Sequence, residues 1–153
     1  MRHVNELFML YPKAFLAALF IAVAVVPEGA PPAPPAAEAP ACSVSRVVDG
    51  DTVDLNCDGA AIRARLTGFD TPETYEPGCP AEAALGRQAT ARLRQMVDDA
   101  TRITADLGGT DRYGRRLVAL SLDGQAVSRR MIAENLAVPY SGGRRIDWCA
   151  RLS

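Results

Sequence analysis

Apolar and polar positions alternate along three short runs between residues 44 and 67. The runs cover residues 44–48, 52–57 and 61–67. The pairs Asp49-Gly50 and Asp58-Gly59 separate them, and an Asp-Gly pair favours the two-residue turn of a β-hairpin. The pattern therefore predicts three antiparallel strands joined by two tight hairpins.

The spacing of apolar residues changes after this region. Over residues 80–97 apolar side chains recur every three or four positions behind Pro80, which predicts an amphipathic helix. Residues 102–107 and 116–122 return to a strand pattern, and residues 126–134 predict a second helix. This order predicts an α+β fold that is mainly β, a five-stranded Greek-key barrel of the OB type with two packed helices.

The first hairpin also predicts which cysteines pair. If residue 48 lies opposite residue 51, Cys42 faces Cys57 across the two strands, within disulfide reach. Cys79 and Cys149 then form the second pair. Four cysteines in two disulfides are typical of an oxidising compartment, and free buried thiols are the alternative.

An apolar segment and a proline-rich segment precede the strands. Residues 14–26 are 13 uninterrupted apolar positions behind basic residues, which is typical of a secretory signal. An uncleaved membrane anchor over residues 7–26 is the alternative. Pro and Ala fill 12 of the 15 positions of residues 27–41, which predicts an extended linker. We therefore expect a signal peptide or anchor over 1–26, a linker over 27–41 and an exported domain over 42–153, periplasmic or secreted, or tethered to the membrane.

The composition of residues 42–153 excludes several kinds of site. The chain has a single histidine, His3, so this domain has no Ser-His-Asp or Cys-His relay and no His-ligated zinc or haem. It carries 15 arginines and 15 acids, and this neutral balance argues against capture of nucleic acid by net charge alone. Its chemistry must rest on Asp, Glu, Arg and Tyr.

Three segments contain these residue types in a concentrated form. They are RVVDGDTVDL at 46–55, RLTGFDTPET at 65–74 and DRYGRRL at 111–117. Each has a structural explanation by itself: a hairpin turn, a helix capping box and a solvated turn. Together they combine carboxylates, which suit calcium, with arginines, which suit the negative charge of a phosphodiester transition state. The register of the second hairpin also places Arg65 opposite Thr52, beside Asp51.

At these three segments the sequence resembles the thermonuclease family, the staphylococcal nuclease-like domains, over about residues 45–140. The resemblance implies an OB barrel with calcium-dependent nuclease activity. Such an enzyme hydrolyses phosphodiester bonds of DNA and RNA alike and leaves 3′-phosphate ends. The best-known relatives are rich in lysine, whereas this domain is neutral, so we expect its affinity for long polymers to depend strongly on salt.

The resemblance also implies a role for individual residues around the metal. By position, the carboxylates of Asp51 and Asp70 and the main-chain carbonyl of Thr71 would bind Ca²⁺. Asp49 falls where the family has an acid that lies beside these ligands and does not bind the metal directly.

The same resemblance implies the residues that act on the substrate. Glu73 would orient or deprotonate the attacking water, while Arg65 and Arg115 would hold the scissile phosphate. Tyr113 and Tyr140 would contact the nucleotide, in part by stacking.

Two other functions are consistent with the same motifs. An OB barrel can hold single-stranded nucleic acid or a protein without cutting it, and the carboxylates could bind calcium for stability alone. Hydrolysis discriminates between these hypotheses and the nuclease. The sequence indicates no obligate protein partner.

Overall fold

A computed structural model of the chain describes residues 41–153. The predicted signal peptide or membrane anchor lies outside the described residues. So does the predicted linker, except for Ala41. Within residues 41–153, no helix combines the length and the apolar character of a membrane-spanning segment.

The described residues form eight strands and three helices. In chain order these are β1 (Cys42–Val47), β2 (Thr52–Cys57), β3 (Ala60–Leu66), β4 (Gly68–Asp70), α1 (Pro80–Asp98), β5 (Ile103–Thr110), β6 (Arg116–Leu122), β7 (Gln125–Ala126), α2 (Val127–Ala133), β8 (Val138–Tyr140) and α3 (Trp148–Arg151). The main sheet has the order β1-β2-β3-β6-β5, with β7 added to β6, and a second sheet pairs β4 with β8. The predicted α+β class is therefore confirmed.

The main sheet curls into a barrel of the OB type. Strands β3 and β6 are parallel, the remaining pairs are antiparallel, and the edge strands β1 and β5 approach each other. Helix α1 lies between β3 and β5 in sequence and packs against β1 and α2. The core joins apolar side chains of the sheet to those of both longer helices, including Val53, Leu55, Leu66, Leu93, Met96, Val118 and Met131. Burial of each large side chain stabilises the fold by roughly 1.5–3 kcal/mol.

The second hairpin has the predicted register. Thr52 lies opposite Arg65, and Asp54 lies opposite Arg63. Asp58 and Gly59 both have positive φ, as the mirror-image turn between two right-twisted strands requires. Local turn chemistry therefore aligns Arg65 with the beginning of β2.

The predicted two-residue turn of the first hairpin is wrong. Near the turn Val47 lies opposite Val53, so residue 48 does not face residue 51. Main-chain N–H groups of residues 48 and 49 both donate to Thr52 O, and the Asp49 side chain accepts from Asp51 N at 3.0 Å. These bonds close a longer loop over residues 48–51, which carries Asp51.

An irregularity in β1 restores the pairing at the far end of that hairpin. The register shifts between Val44 and Arg46, and Cys42 again lies opposite Cys57. Both expected disulfides, Cys42–Cys57 and Cys79–Cys149, are present in the structure. The first closes the hairpin, whereas the second joins the beginning of α1 to α3.

Candidate active site

Two buried carboxylates meet at one arginine. Asp51 lies in the loop before β2 and is 3% exposed, while Asp70 ends β4 and is fully buried. Arg65 of β3 pairs through Nη1 with Asp51 Oδ1, and its Nη2 lies 3.1 Å from Asp70 Oδ1. Residues from three separate elements therefore converge within the reach of one guanidinium group.

Both acids are held by further hydrogen bonds. Thr71 donates to Asp51 Oδ2 from its hydroxyl at 3.0 Å and from its main-chain N–H at 3.3 Å. Thr52 Oγ1 donates to Asp51 Oδ1, and Trp148 Nε1 donates to Asp70 Oδ2 at 3.0 Å. Fixed carboxylates of this kind lose little further freedom when they bind a ligand.

Burial shifts the ionisation of two groups beside these acids. Burial raises the pKa of Asp49, against the lowering effect of its hydrogen bonds to Thr52 and of nearby arginines. Burial, together with the positive charge of Arg145, lowers the pKa of Arg65 from its ordinary value. The guanidinium stays charged at neutral pH because the ordinary pKa of arginine lies so far above 7.

A turn between β5 and β6 positions Arg115 at the same place. Asp111 accepts from the main-chain N–H groups of Tyr113 and Arg115 at 3.0 and 2.9 Å, and from Arg115 Nε at 2.8 Å. Arg115 Nη1 lies 3.4 Å from Thr52 Oγ1, which in turn contacts Asp51. The Tyr113 ring is 69% exposed and lies against the guanidinium groups of Arg112 and Arg115.

Helix α1 fixes the main chain at Glu73. Glu82 is nearly buried and accepts from Glu73 N at 3.2 Å and from Gly78 N at 2.7 Å. A Cβ at Gly86 would lie 2.8 Å from the carbonyl oxygens of Pro72 and Glu73. Residues 70–73 therefore do not cap a helix; they pack directly on the side of one.

This packing makes Gly86 a test of how Glu73 is placed. We expect Gly86→Ala to lower the free energy of unfolding by about 1 kcal/mol or more, because overpacking outweighs the better helix propensity of alanine. Gly109→Ala is the control, since a Cβ at Gly109 meets no other atom within 4 Å. Urea unfolding measures both variants, and equal midpoints would contradict the close packing at Gly86.

The sequence did not reveal Arg145, which contacts two of the acids and the Thr71 carbonyl. Its Nε lies 2.5 Å from Asp70 Oδ1, its Nη1 pairs with Glu73 Oε1, and its Nη2 donates to Thr71 O at 3.0 Å. Burial opposes ionisation of Arg145, but the carboxylates of Glu73 and Asp70 together raise its pKa.

Arg145 lies outside the three sequence motifs, more than 70 residues from its partners along the chain. The same holds for Trp148, which is 78 residues from Asp70, whereas Glu82 lies only nine residues from Glu73 but outside the motifs. The available signal was the Cys79–Cys149 disulfide, because it brings the segment around Arg145 to the end of segment 73–79.

The structure brings all the predicted site residues together. A cleft of about 550 Å³ is lined by seven of them: Asp49, Asp51, Arg65, Glu73, Tyr113, Arg115 and Tyr140. Asp70 and Thr71 lie beside this lining, bonded to Arg145 and Asp51. The hydroxyl of Tyr140 donates to Gly143 O, which places its ring at the glycine-rich edge of the cleft.

The oxygens of this cleft fit a hard divalent cation. Arg65 joins the buried carboxylates of Asp51 and Asp70, and Arg145 joins Asp70 to the Thr71 carbonyl and to Glu73. Oxygen donors with several negative charges are the ligands that Ca²⁺ prefers. A second grouping, of Glu82 with Cys79 and Cys149, does not fit a metal, because both sulfurs belong to a disulfide.

Comparison with known proteins gives consistent relatives. The family model described as staphylococcal nuclease homologue matches residues 63–146. Thermonuclease of Staphylococcus intermedius is 33% identical over 94 residues, which cover 61% of this chain and 56% of that protein. Thermonuclease of Staphylococcus hyicus gives the same values. The SPbeta prophage-derived endonuclease YokF of Bacillus subtilis strain 168 is 32% identical over 97 residues, 62% of this chain and 32% of that protein. The matches span about half the length of the curated thermonucleases.

Proposed function

The chain belongs to the staphylococcal nuclease homologue family, and from this premise we propose that it is a calcium-dependent nuclease. In this proposal it hydrolyses phosphodiester bonds of DNA and RNA and leaves 3′-phosphate ends. The observation that carries the proposal is that Asp51, Glu73, Arg65 and Arg115, from separate elements, line one cleft beside the buried Asp70.

The carboxylates of Asp51 and Asp70 and the carbonyl of Thr71 would hold the calcium ion. When bound, calcium supplies positive charge to a phosphate oxygen and orients a water molecule. Thr71 contributes twice, because its hydroxyl and N–H hold Asp51 while its carbonyl faces Arg145. The Asp51 carboxylate is therefore held in a fixed orientation by hydrogen bonds from Thr52 and Thr71.

Glu73 is placed to accept a proton from the attacking water. Its side chain is 40% exposed at the cleft, while its main chain is fixed by Glu82. As the water oxygen forms its bond to phosphorus, its proton passes to Glu73 and the bond from phosphorus to the 5′ oxygen breaks. The 5′ oxygen takes up a proton from solvent, Glu73 returns its proton to solvent, and the phosphate stays on the 3′ side.

Arg65 and Arg115 are placed to neutralise the charge that develops on the phosphate oxygens. A guanidinium offers two parallel N–H donors and is always charged, so it suits this task better than lysine does. Acids orient both guanidinium groups. Asp51 and Asp70 contact Arg65, and Asp111 contacts Arg115. Little reorganisation is then needed as the charge develops.

Tyr113 and Tyr140 complete the substrate surface in this proposal. Both line the cleft, and a base can stack on an aromatic ring whatever its identity. Such contacts favour single strands and give little sequence preference. We also propose that the domain is exported to an oxidising compartment, and its two disulfides are consistent with this location.

The test is hydrolysis of a fluorogenic single-stranded DNA by the purified, oxidised full chain. We expect cleavage with calcium and none with excess chelator. Glu73→Ala should lower turnover at least about a hundredfold, because the water loses its proton acceptor. Glu76→Ala, an exposed acid of the same segment, is the matched control and should cut at the wild-type rate.

The outcome also separates the alternative function. A folded chain that binds calcium and single-stranded DNA without cutting would indicate an OB-type binding module. Wild-type rates in Glu73→Ala would show that the water is activated elsewhere.

A further inference from the structure

The guanidinium of Arg145 occupies oxygens that the proposed calcium ion would need. Its three nitrogens contact Asp70 Oδ1, Thr71 O and Glu73 Oε1. The first two of these oxygens belong to the proposed metal ligands, and the third belongs to the proposed proton acceptor. One side chain therefore engages both parts of the site.

A calcium ion and this guanidinium compete for the same oxygens. Calcium binds oxygen at about 2.3–2.6 Å, so a ligand carboxylate would have to turn its lone pairs from the N–H donors to the ion. The two positive groups would also repel each other over a few ångströms in a partly buried place. Binding of one therefore weakens binding of the other.

Arg65 contacts the same acids, but its surroundings differ. It lies within β3 and its side chain is 11% exposed, whereas the side chain of Arg145 is 38% exposed. Gly142 and Gly143, just before Arg145, have positive φ and open space around them. Arg145 can therefore move away from these oxygens, whereas Arg65, which also faces the cleft, is the less exposed of the two and is held by its strand.

The residues that follow Arg145 are anchored independently of its side chain. Trp148 donates to Asp70 Oδ2, and the neighbouring Cys149 is bonded to Cys79. Release of the guanidinium thus needs movement of one side chain and the glycine-rich loop, without displacement of α3.

From this geometry we propose that Arg145 competes with calcium for Asp70 and Thr71, and so sets the calcium affinity of the site. The inference rests on the proposed calcium site, and it gives a role in metal binding to a residue that lies outside the three motifs. Because calcium must displace Arg145, its apparent affinity equals its intrinsic affinity multiplied by the fraction of molecules in which the oxygens are free.

The experiment measures metal binding directly, without activity. Terbium, a luminescent substitute for calcium, would bind beside Trp148, the only tryptophan of the chain, and excitation of the indole would sensitise its emission. Calcium displaces terbium, which gives the calcium affinity of the full chain. We expect Arg145→Ala to bind calcium about tenfold more tightly or better, from the loss of charge-assisted hydrogen bonds. Arg145→Lys should lie between it and the wild type.

Arg144→Ala is the matched control. Arg144 is exposed, carries the same charge on the same loop and does not contact Asp70, Thr71 or Glu73 within residues 41–153. Its calcium affinity should stay within about twofold of the wild type, because long-range charge effects are screened by salt. An equal gain in both variants would indicate a general charge effect and would overturn the competition.

The remaining outcomes separate this inference from the proposed function. Unchanged or weaker calcium binding by Arg145→Ala, beside normal binding by the wild type, would overturn the competition and leave the calcium site in place. Failure of both proteins to bind calcium would overturn the site itself, and the inference with it. Circular dichroism in chelator verifies the fold, and Arg145→Lys decides if the alanine variant does not fold.

Discussion

Arg65→Ala is expected to lower the turnover of nucleic acid hydrolysis at least about a hundredfold. A loss of this size is about 2.7 kcal/mol of transition-state stabilisation, which is typical when one well-placed donor is removed from an active site. Arg65 faces the cleft and is oriented by both Asp51 and Asp70. Arg115→Ala should cause a loss of similar size.

Stability must be separated from catalysis in this variant. Removal of Arg65 leaves two buried carboxylates with fewer partners, and breaking a buried ion pair costs about 3–5 kcal/mol. Calcium should recover part of this stability, because it neutralises the same acids. Rates should therefore be measured at saturating calcium and at a temperature where thermal unfolding shows the variant to be folded.

Arg63→Ala is the matched control for Arg65→Ala. Arg63 lies two residues away on β3 and pairs with Asp54, but it is half-exposed and lies outside the cleft lining. Exposed pairs of this kind contribute about 0.2–1 kcal/mol, so this variant should keep its stability and its rate. A folded Arg65→Ala protein that cuts as fast as Arg63→Ala would contradict the assigned role.

The position of Arg65 could be predicted from sequence because it depends on local chemistry. The Asp58-Gly59 turn fixes the register of β2 against β3, and each pair follows from the turn by counting. The same counting failed at the turn after β1. There the Asp49 side chain bonds to Asp51 N and supports a longer loop, and the sequence pattern does not show which bond a short polar side chain will make.

The parts of the site that sequence could not predict come from distant segments. Strands β4 and β8 have three residues each, too short for a period of two to be visible. Yet their pairing places Asp70 opposite Val138 and brings the segment after β8 to the cleft. Arg145 and Trp148 reach Asp70 only through this pairing and the second disulfide, so no local motif contains them.

Loss of the Cys79–Cys149 disulfide is expected to lower the stability of the fold strongly. This bridge closes a loop of 70 residues, and in the chain-entropy account its removal costs about 4 kcal/mol, from the freedom returned to the unfolded chain. A fold of this size has a total stability of roughly 5–15 kcal/mol. The double variant Cys79→Ser/Cys149→Ser should therefore unfold at a much lower urea concentration.

The same change should also alter the site. The bridge holds the end of the chain against α1, where Trp148 bonds to Asp70 and Glu82 bonds to Glu73 N. Without it, α3 has only four residues to retain its position, so we expect a more solvated Trp148 emission and slower hydrolysis in protein that is still folded.

The first disulfide provides the matched control for this effect. Cys42→Ser/Cys57→Ser opens a loop of only 15 residues, which should cost about 3 kcal/mol, at the end of the hairpin opposite to Asp51. That variant should lose stability and yet keep its Trp148 emission and its rate when folded. Equal loss of rate in both double variants would mean that the disulfides stabilise the whole barrel alike. A loss confined to Cys79→Ser/Cys149→Ser would show that the second bridge also positions the catalytic cleft.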